Sequence, residues 1–268
     1  MALPLLPISE LLTGTEPPVD WLVPEFIPRG SLIALAGEPG AGKSLLMYVI
    51  SVALASGTPF LGWRASGPHR VLYFDQENSK ADCTQYLRWA WNGLGRPDPR
   101  LLDVNLAFAH IVLGGPTWGA TAEQYVRAVQ PELIVIDTTT PACNVLDEND
   151  NAEATRAVQQ IRRLHGLCAP SPAIVALKHA KVRAEGGGHT LRGAKAWEGM
   201  VDSIVYHTKA RGKTRSDGLR ATKLSPAKTR AFGLRSELVI NPSWTPDHSG
   251  LILRRGVELR ADESEDDE

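Results

Sequence analysis

The sequence predicts an α/β protein with a mostly parallel central sheet flanked by helices. Three observations lead to this fold class. Runs of four or five apolar residues alternate with amphipathic helical segments between residues 30 and 180, which is typical of strands covered by helices on both faces. The first of these runs leads straight into a glycine-rich loop. After residue 200, short alternating segments predict an antiparallel C-terminal extension.

The predicted elements follow one another in a regular order. Buried strands are expected at 32–36, 71–74, 133–136 and 173–177, with a weaker strand at 106–113. Helices are expected after residue 44 and at 80–94, 120–129 and 154–164. The short strands of the extension are expected at 203–207, 219–223, 234–240 and 251–253.

The chain is predicted to have three segments. Residues 1–28 are proline-rich with scattered apolar residues, and they are interpreted as an N-terminal arm that packs on this subunit or on a neighbour. Residues 29–255 form the α/β domain. Residues 256–268 are expected to be a disordered tail, because the last eight residues include six acids.

The composition is ordinary for a globular chain. Of the 268 residues 43% are hydrophobic and 22% are charged, and the formal net charge is −1, so nucleic-acid contacts require a locally basic region. The three cysteines have no paired spacing, which favours a reducing, cytoplasmic setting without disulfides or a zinc ribbon. Neither a signal peptide nor a membrane span is predicted.

The glycine-rich loop has the most specific local signature. Residues 37–44 fit the pattern G-x-x-x-x-G-K-[ST] between a strand and a helix, which is the context in which this loop binds phosphate. Lys43 is expected to reach the β- and γ-phosphates, and the Ser44 hydroxyl to bind Mg²⁺. The predicted site for ATP and Mg²⁺ comprises Gly37, Glu38, Pro39, Gly40, Ala41, Gly42, Lys43, Ser44 and Leu45.

Polar residues follow the other predicted strands, where ligands of parallel α/β sheets gather. Asp137 ends the run 133–136 and suits the position that organises Mg²⁺ together with Ser44. Glu77 is favoured over Asp75 as the base that activates the attacking water, although helix capping by Asn78 or Ser79 explains part of this cluster equally well.

His179 follows the run 173–177 and is predicted to sense the γ-phosphate, whereas a lone histidine is more often structural. The segment 178–235 has 14 Lys and Arg against four acids. A flexible basic loop in this place suits contacts to the backbone of single-stranded DNA, and a solvated basic face is the alternative. The predicted DNA contacts are Lys181, Arg183, Arg192 and Lys195.

Two further features allow more than one interpretation. Trp197 belongs either to the core or to a surface that stacks on a base. Lys228 and Arg230 are predicted to lie in an edge hairpin. They either stabilise the transferring phosphoryl group of a neighbouring subunit in trans or serve only solubility.

Together these motifs resemble the RecA-like ATPases of the RepA type, which are small hexameric replicative helicases of plasmids and phages. The resemblance covers roughly residues 17–240. Residues 228–233 are similar to the Lys-x-Arg hairpin of the wider DnaB-type helicases. The other segments that carry it are 21–24 with Gly30, the phosphate loop, 76–78, 137–138, 146–151, 178–179, 192–194 and 201–202.

The resemblance implies a RecA-like P-loop core, a ring that is usually a hexamer, ATP at subunit interfaces, and single-stranded DNA in the channel of a helicase. An initiator, loader or primase is the implied partner. Asn78 replaces the second acid of the catalytic motif, and residues 205–207 lack the arginine of the RepA type, so the trans arginine is Arg230, Arg211 or another. A filament-forming recombinase or recombination mediator and a regulatory ATPase are the alternatives.

Overall fold

The computed structural model describes residues 8–13, 18–64, 67–107, 118–143, 145, 147, 150–182, 189–191, 194–210, 214–230 and 232–256. The strands within these ranges are β1 (Trp21–Val23), β2 (Ile27–Pro28), β3 (Leu32–Gly37), β4 (Val71–Asp75), β5 (Val104–Ala107), β6 (Leu133–Asp137), β7 (Ala173–Val182), β8 (His189–Leu191), β9 (Ser203–Lys209), β10 (Thr222–Thr229), β11 (Leu238–Trp244) and β12 (Leu251–Gly256). The helices are α1 (Ile8–Thr13), α2 (Lys43–Ser56), α3 (Lys80–Gly93), α4 (Trp118–Val129), α5 (Thr139–Ala142), α6 (Asn151–Arg163) and α7 (Ala194–Met200).

One ten-stranded sheet organises these elements. Its order is β12-β11-β10-β9-β3-β7-β6-β4-β5, and β8 pairs with β7 beside this path. The six strands from β9 to β5 are parallel to one another, whereas β10, β11 and β12 are antiparallel. The predicted α/β class, with a mostly parallel sheet and an antiparallel C-terminal extension, is confirmed.

The sheet is covered on both faces, which explains the continuous apolar runs. Alternate residues of a strand point to opposite faces. Ile33, Tyr73 and Val135 therefore pack into the cluster that α2 and α3 cover, while Ala34 and Ile134 face the cluster covered by α4, α6 and α7. The four predicted core strands lie at or next to their predicted positions.

The end of the predicted arm lies inside the domain. Leu22, Val23, Phe26 and Ile27 are fully buried and belong to the same cluster as α2. Arg29 fixes this ribbon to the sheet, because it contacts Glu132 at 3.1 Å. Residues 21–28 therefore pack on this subunit.

Two strands of the antiparallel extension do not lie where the sequence predicts them. β10 and β11 lie several residues beyond the predicted segments 219–223 and 234–240. Lys228 lies near the end of β10 and Arg230 just after it, where β10 leads into its antiparallel partner β11, so the hairpin is present. Its predicted position at the sheet edge is wrong, since β10 lies between β9 and β11. Pro226 stands inside β10 at a shift of register against β9, and prolines in strands obscure such a pattern in the sequence. Among the described helices, none combines the length and apolarity that crossing a membrane requires.

Candidate functional site

The phosphate loop joins β3 to α2 with its backbone in a conformation that favours glycine. Gly40 has φ +71° and Gly42 has φ +90°, values that a residue without Cβ adopts at little cost. Gly42 is the N-cap of α2 and supplies no side-chain cap. The N-terminal amides of α2 are thus available to an anion.

Lys43 lies buried within the loop. Its Nζ donates to the carbonyl oxygens of Gly37 at 3.0 Å and Glu38 at 3.1 Å. Burial lowers the pKa of Lys43, while Asp137 and Glu77 act in the opposite direction. The ammonium is therefore held at the mouth of the loop by backbone groups that it can exchange for other oxygen acceptors.

Asp137 is a buried carboxylate with one oxygen unused. Tyr73 donates its hydroxyl to Oδ2 at 2.8 Å, whereas Oδ1 is buried and has no hydrogen-bond partner among the described residues. The pKa of Asp137 is raised to about 6: burial is the largest cause and the charges of Asp75 and Glu77 add to it, while the Ser44 and Tyr73 hydroxyls act in the opposite direction. An orphaned carboxylate oxygen beside Ser44 fits an oxygen-seeking cation.

Asp75 is the register partner of Asp137 on the neighbouring strand, but its hydrogen bonds are different. Its two oxygens accept from the Tyr48 hydroxyl at 2.8 Å, from the backbone N–H groups of Glu77 and Asn78, and from the Asn78 side chain. This carboxylate is therefore engaged in building the turn that presents Glu77.

Glu77 and His179 face each other across the mouth of the site. The Glu77 side chain is 48% exposed, and its Oε2 lies 3.9 Å from His179 Nε2. His179 stands opposite Gly37 in the pairing of β7 with β3. Of the two capping candidates, Ser79 caps α3 through Asp82, while Asn78 serves Asp75. Glu77 is left solvent-accessible beside the phosphate loop; its role as base remains a prediction.

His207 belongs to the site, although in the sequence it stands out only as a departure from the RepA pattern. A Cβ on Gly37 would lie 2.1 Å from the His207 carbonyl oxygen. The imidazole Nε2 lies 2.8 Å from the Thr222 hydroxyl. Burial, with a smaller contribution from Lys43, lowers the pKa of His207 to about 3. A neutral imidazole therefore supports the loop from β9.

A cavity of about 280 Å³ adjoins the phosphate loop. The loop and α2 form one side, and β9 to β12 form the other. The walls are mainly apolar, with a few polar groups, as is usual for small-molecule sites. Residues that line it include Gly42, Leu45, His207, Arg220, Leu251 and Leu253.

The predicted DNA contacts are only partly described. Arg183 and Arg192 lie outside the described residues, as does the side chain of Lys181. Lys195 is exposed on α7. Trp197 is 1% exposed and stacks under Lys178, whose Nζ is 4.5 Å from the ring centroid. Of the two interpretations of Trp197, the core is the one that its burial supports.

Lys228 and Arg230 contact the end of α7 in their own subunit. Lys228 Nζ donates to the carbonyl of Val201 at 2.7 Å and to that of Glu198. Arg230 donates to the carbonyl of Gly199 at 2.7 Å. Their proposed action in trans on a neighbouring subunit remains a prediction.

Comparisons with known proteins find a family and two relatives of this chain. The family model described as AAA domain matches residues 2–184. Two curated relatives are named DNA repair protein RadA. The one from Bacillus subtilis is 25% identical over 254 residues, and the one from Halalkalibacterium halodurans is 27% identical over 255 residues; each match covers 88% of this chain and 48% of the relative. The chain thus spans about half the length of these relatives.

Proposed function

Because the chain belongs to the AAA domain family of P-loop ATPases, we propose that it is a Mg²⁺-dependent ATPase motor that binds single-stranded DNA in the channel of a hexameric ring and unwinds duplex DNA. The observation that carries the ATPase part is the meeting of the phosphate loop, Asp137 and Glu77 at the ends of β3, β6 and β4. The DNA part is supported by the basic composition of 178–235.

ATP hydrolysis needs a phosphate anchor and a base. Lys43 exchanges the carbonyls of Gly37 and Glu38 for oxygens of the β- and γ-phosphates. Glu77 accepts a proton from the attacking water, for which its half-exposed carboxylate at the mouth of the loop is suited. His179, 3.9 Å from Glu77, responds to the state of the γ-phosphate.

Ser44 and Asp137 are the residues that would hold Mg²⁺. The ion supplies positive charge that neutralises the phosphates during transfer. The fit rests on Asp137 Oδ1, which is buried and lacks a hydrogen-bond partner among the described residues, and on the Ser44 hydroxyl next to this carboxylate. Two protein oxygens agree with the preference of Mg²⁺ for few protein ligands plus phosphate and water.

DNA is proposed to contact the segment that follows β7. Lys181, Arg183, Arg192 and Lys195 neutralise backbone phosphates there, so affinity should fall steeply with salt. In the proposed ring, ATP lies at the interface between subunits, and an initiator, loader or primase brings the ring to its substrate.

A second candidate function is that of a recombination mediator or recombinase that forms filaments without unwinding. The name of both relatives, DNA repair protein RadA, favours it. It shares the ATPase chemistry and the DNA contact with the first proposal. The two differ in assembly and in the product of the reaction.

Strand displacement on a forked duplex separates the two candidates. With ATP and Mg²⁺ we expect displacement of the labelled strand, and closed rings in negative-stain images with single-stranded DNA. Lys43→Ala, which removes the phosphate anchor, should displace no strand. ATP hydrolysis on open filaments without displacement would favour the recombination mediator, and hydrolysis by Lys43→Ala would remove the premise of both.

A further inference from the structure

Helix α7 ends on a group of cations that come from separate elements. The last carbonyl groups of a helix have no partner within the helix, and here each of four consecutive carbonyls accepts from a basic side chain. Arg162 comes from α6, Lys228 from β10, and Arg230 from the residue after β10. In chain order, the carbonyls of Glu198, Gly199, Met200 and Val201 accept from Lys228, Arg230, Arg162 and again Lys228. We call Arg162, Lys228 and Arg230 the three-cation cap.

Gathering these cations is electrostatically unfavourable. Burial lowers the pKa of Lys228, and the charges of Arg230 and Arg162 lower it further, while Asp202 and Glu198 oppose them. Asp202 is itself tied to Arg162 at 3.2 Å and to the backbone N–H of Leu32 at 2.8 Å. Many helices end on a single glycine, and one cation near the last carbonyls already stabilises a helix end. The presence of three cations at one helix end indicates that this end has to be held in one place.

The same helix is also attached to the strand that leads to the nucleotide site. Its Trp197 packs on Lys178, the residue immediately before His179 in β7. The start of α7 follows directly on residues 192–193 of the basic segment. The helix thus connects the strand end beside Glu77 with the part of the chain that carries the predicted DNA contacts.

We propose that Lys228 and Arg230, together with Arg162, are positioning residues for DNA binding. They fix the C-terminal end of α7 in their own subunit, and the anchored helix holds Lys195, a predicted DNA contact that is exposed on its first turn, in place for the DNA backbone. Their charges serve the carbonyls of α7 and not the phosphates of the DNA. This rests on the proposed function, in that the basic segment is taken as the DNA contact.

The test uses the full chain with Lys228→Ala and Arg230→Ala. Two measurements are made: amide hydrogen exchange across 194–201, and the affinity for an oligothymidylate between 50 and 200 mM salt. Loss of one capping cation should speed exchange and weaken DNA binding by roughly 5- to 10-fold, with an unchanged slope of log affinity against log salt. Lys228→Arg and Arg230→Lys should restore both. Arg254→Ala removes an exposed cation of β12 away from α7 and should resemble the wild type.

Three results would overturn the proposal. Unchanged exchange at 194–201 in the alanine variants would mean that the cap does not hold the helix. Faster exchange with wild-type DNA affinity would mean that the helix does not position the DNA contact. A salt slope that falls by about one per removed cation would mean direct contact with DNA phosphates. Failure of the wild-type chain to bind any oligothymidylate would instead contradict the proposed function.

Discussion

The two halves of the central sheet differ in the charge that they present. Two strands of the parallel half end in acids, with Asp75 and Asp137 as register partners at the ends of β4 and β6. The antiparallel half carries cations, among them Lys223 and Lys228 on β10. Buried acids beside a phosphate loop suit a metal-bound phosphate. Lys228 of β10 and Arg230 just after it instead donate to carbonyl groups at the end of α7. The proposed hydrolysis site thus lies in the parallel half, whereas two of the three cations that contact the end of α7 come from the antiparallel half.

Glu77→Gln tests the chemistry of the parallel half and has the largest expected effect. Removing the base should lower kcat for ATP hydrolysis by about 10²- to 10⁴-fold, while a fluorescent ATP analogue binds as before because Lys43 is retained. Glu123→Gln, which changes a partly exposed carboxylate on α4, is the matched control. Normal turnover by Glu77→Gln would mean that another residue is the base.

Gly37→Ala tests the contact where the phosphate loop meets β9. The new Cβ would lie 2.1 Å from the His207 carbonyl oxygen, so the strands must separate, and the free energy of unfolding should fall by about 3 kcal/mol or more. In Gly40→Ala the new Cβ has no atom within 4 Å. Only the positive φ of +71° is then unfavourable, and it should lower the free energy of unfolding by about 1 kcal/mol. Equal losses in denaturant titrations would contradict the close approach.

Asp75→Asn tests whether that carboxylate is structural. In Asp75→Asn an NH₂ group replaces one carboxylate oxygen and faces other donors: the Tyr48 hydroxyl and the backbone N–H groups of Glu77 and Asn78. Because buried donors are then left without an acceptor, the free energy of unfolding should fall by roughly 2–3 kcal/mol. The measurement is urea denaturation of the nucleotide-free protein. A variant as stable as the wild type would show that these bonds do not hold the turn.

Asp137→Asn, at the register partner of Asp75, should raise the free energy of unfolding, whereas Asp75→Asn lowers it. The pKa of Asp137 is raised to about 6, above the ordinary value near 4, so its charged form destabilises the fold above pH 6 and the cost disappears below about pH 4. The variant should therefore be more stable than the nucleotide-free wild type at pH 7, by about 1–3 kcal/mol. Thermal unfolding at pH 4, 6 and 8 checks this, and a difference that does not change with pH would contradict it.

Much of the parallel half could be predicted from the sequence, since strands covered on both faces are continuous apolar runs. The phosphate loop, Asp137, Glu77 and His179 followed from the ends of these runs. The role of Tyr73 cannot be predicted from the sequence, because this residue lies inside an apolar run and its hydroxyl reaches Asp137 only through the pairing of β4 with β6.

The antiparallel half was harder to predict for physical reasons. Pro226 and Pro242 lie within β10 and β11, so the alternation that marks a strand is interrupted. The place of His207 depends on β9 lying beside β3. The contacts of Lys228 and Arg230 depend on α7 ending next to β10. The spacing of residues along the sequence predicts neither that β9 lies beside β3 nor that α7 ends next to β10.

The most direct test of the account is the rate of ATP hydrolysis by the wild-type chain with and without single-stranded DNA, at 50 and 200 mM salt. If the basic segment and α7 connect DNA to the site at Glu77, DNA should raise the rate, and the stimulation should weaken steeply at the higher salt because phosphate contacts are lost. The same rate with and without DNA at both salt concentrations would contradict the account and would favour a regulatory ATPase.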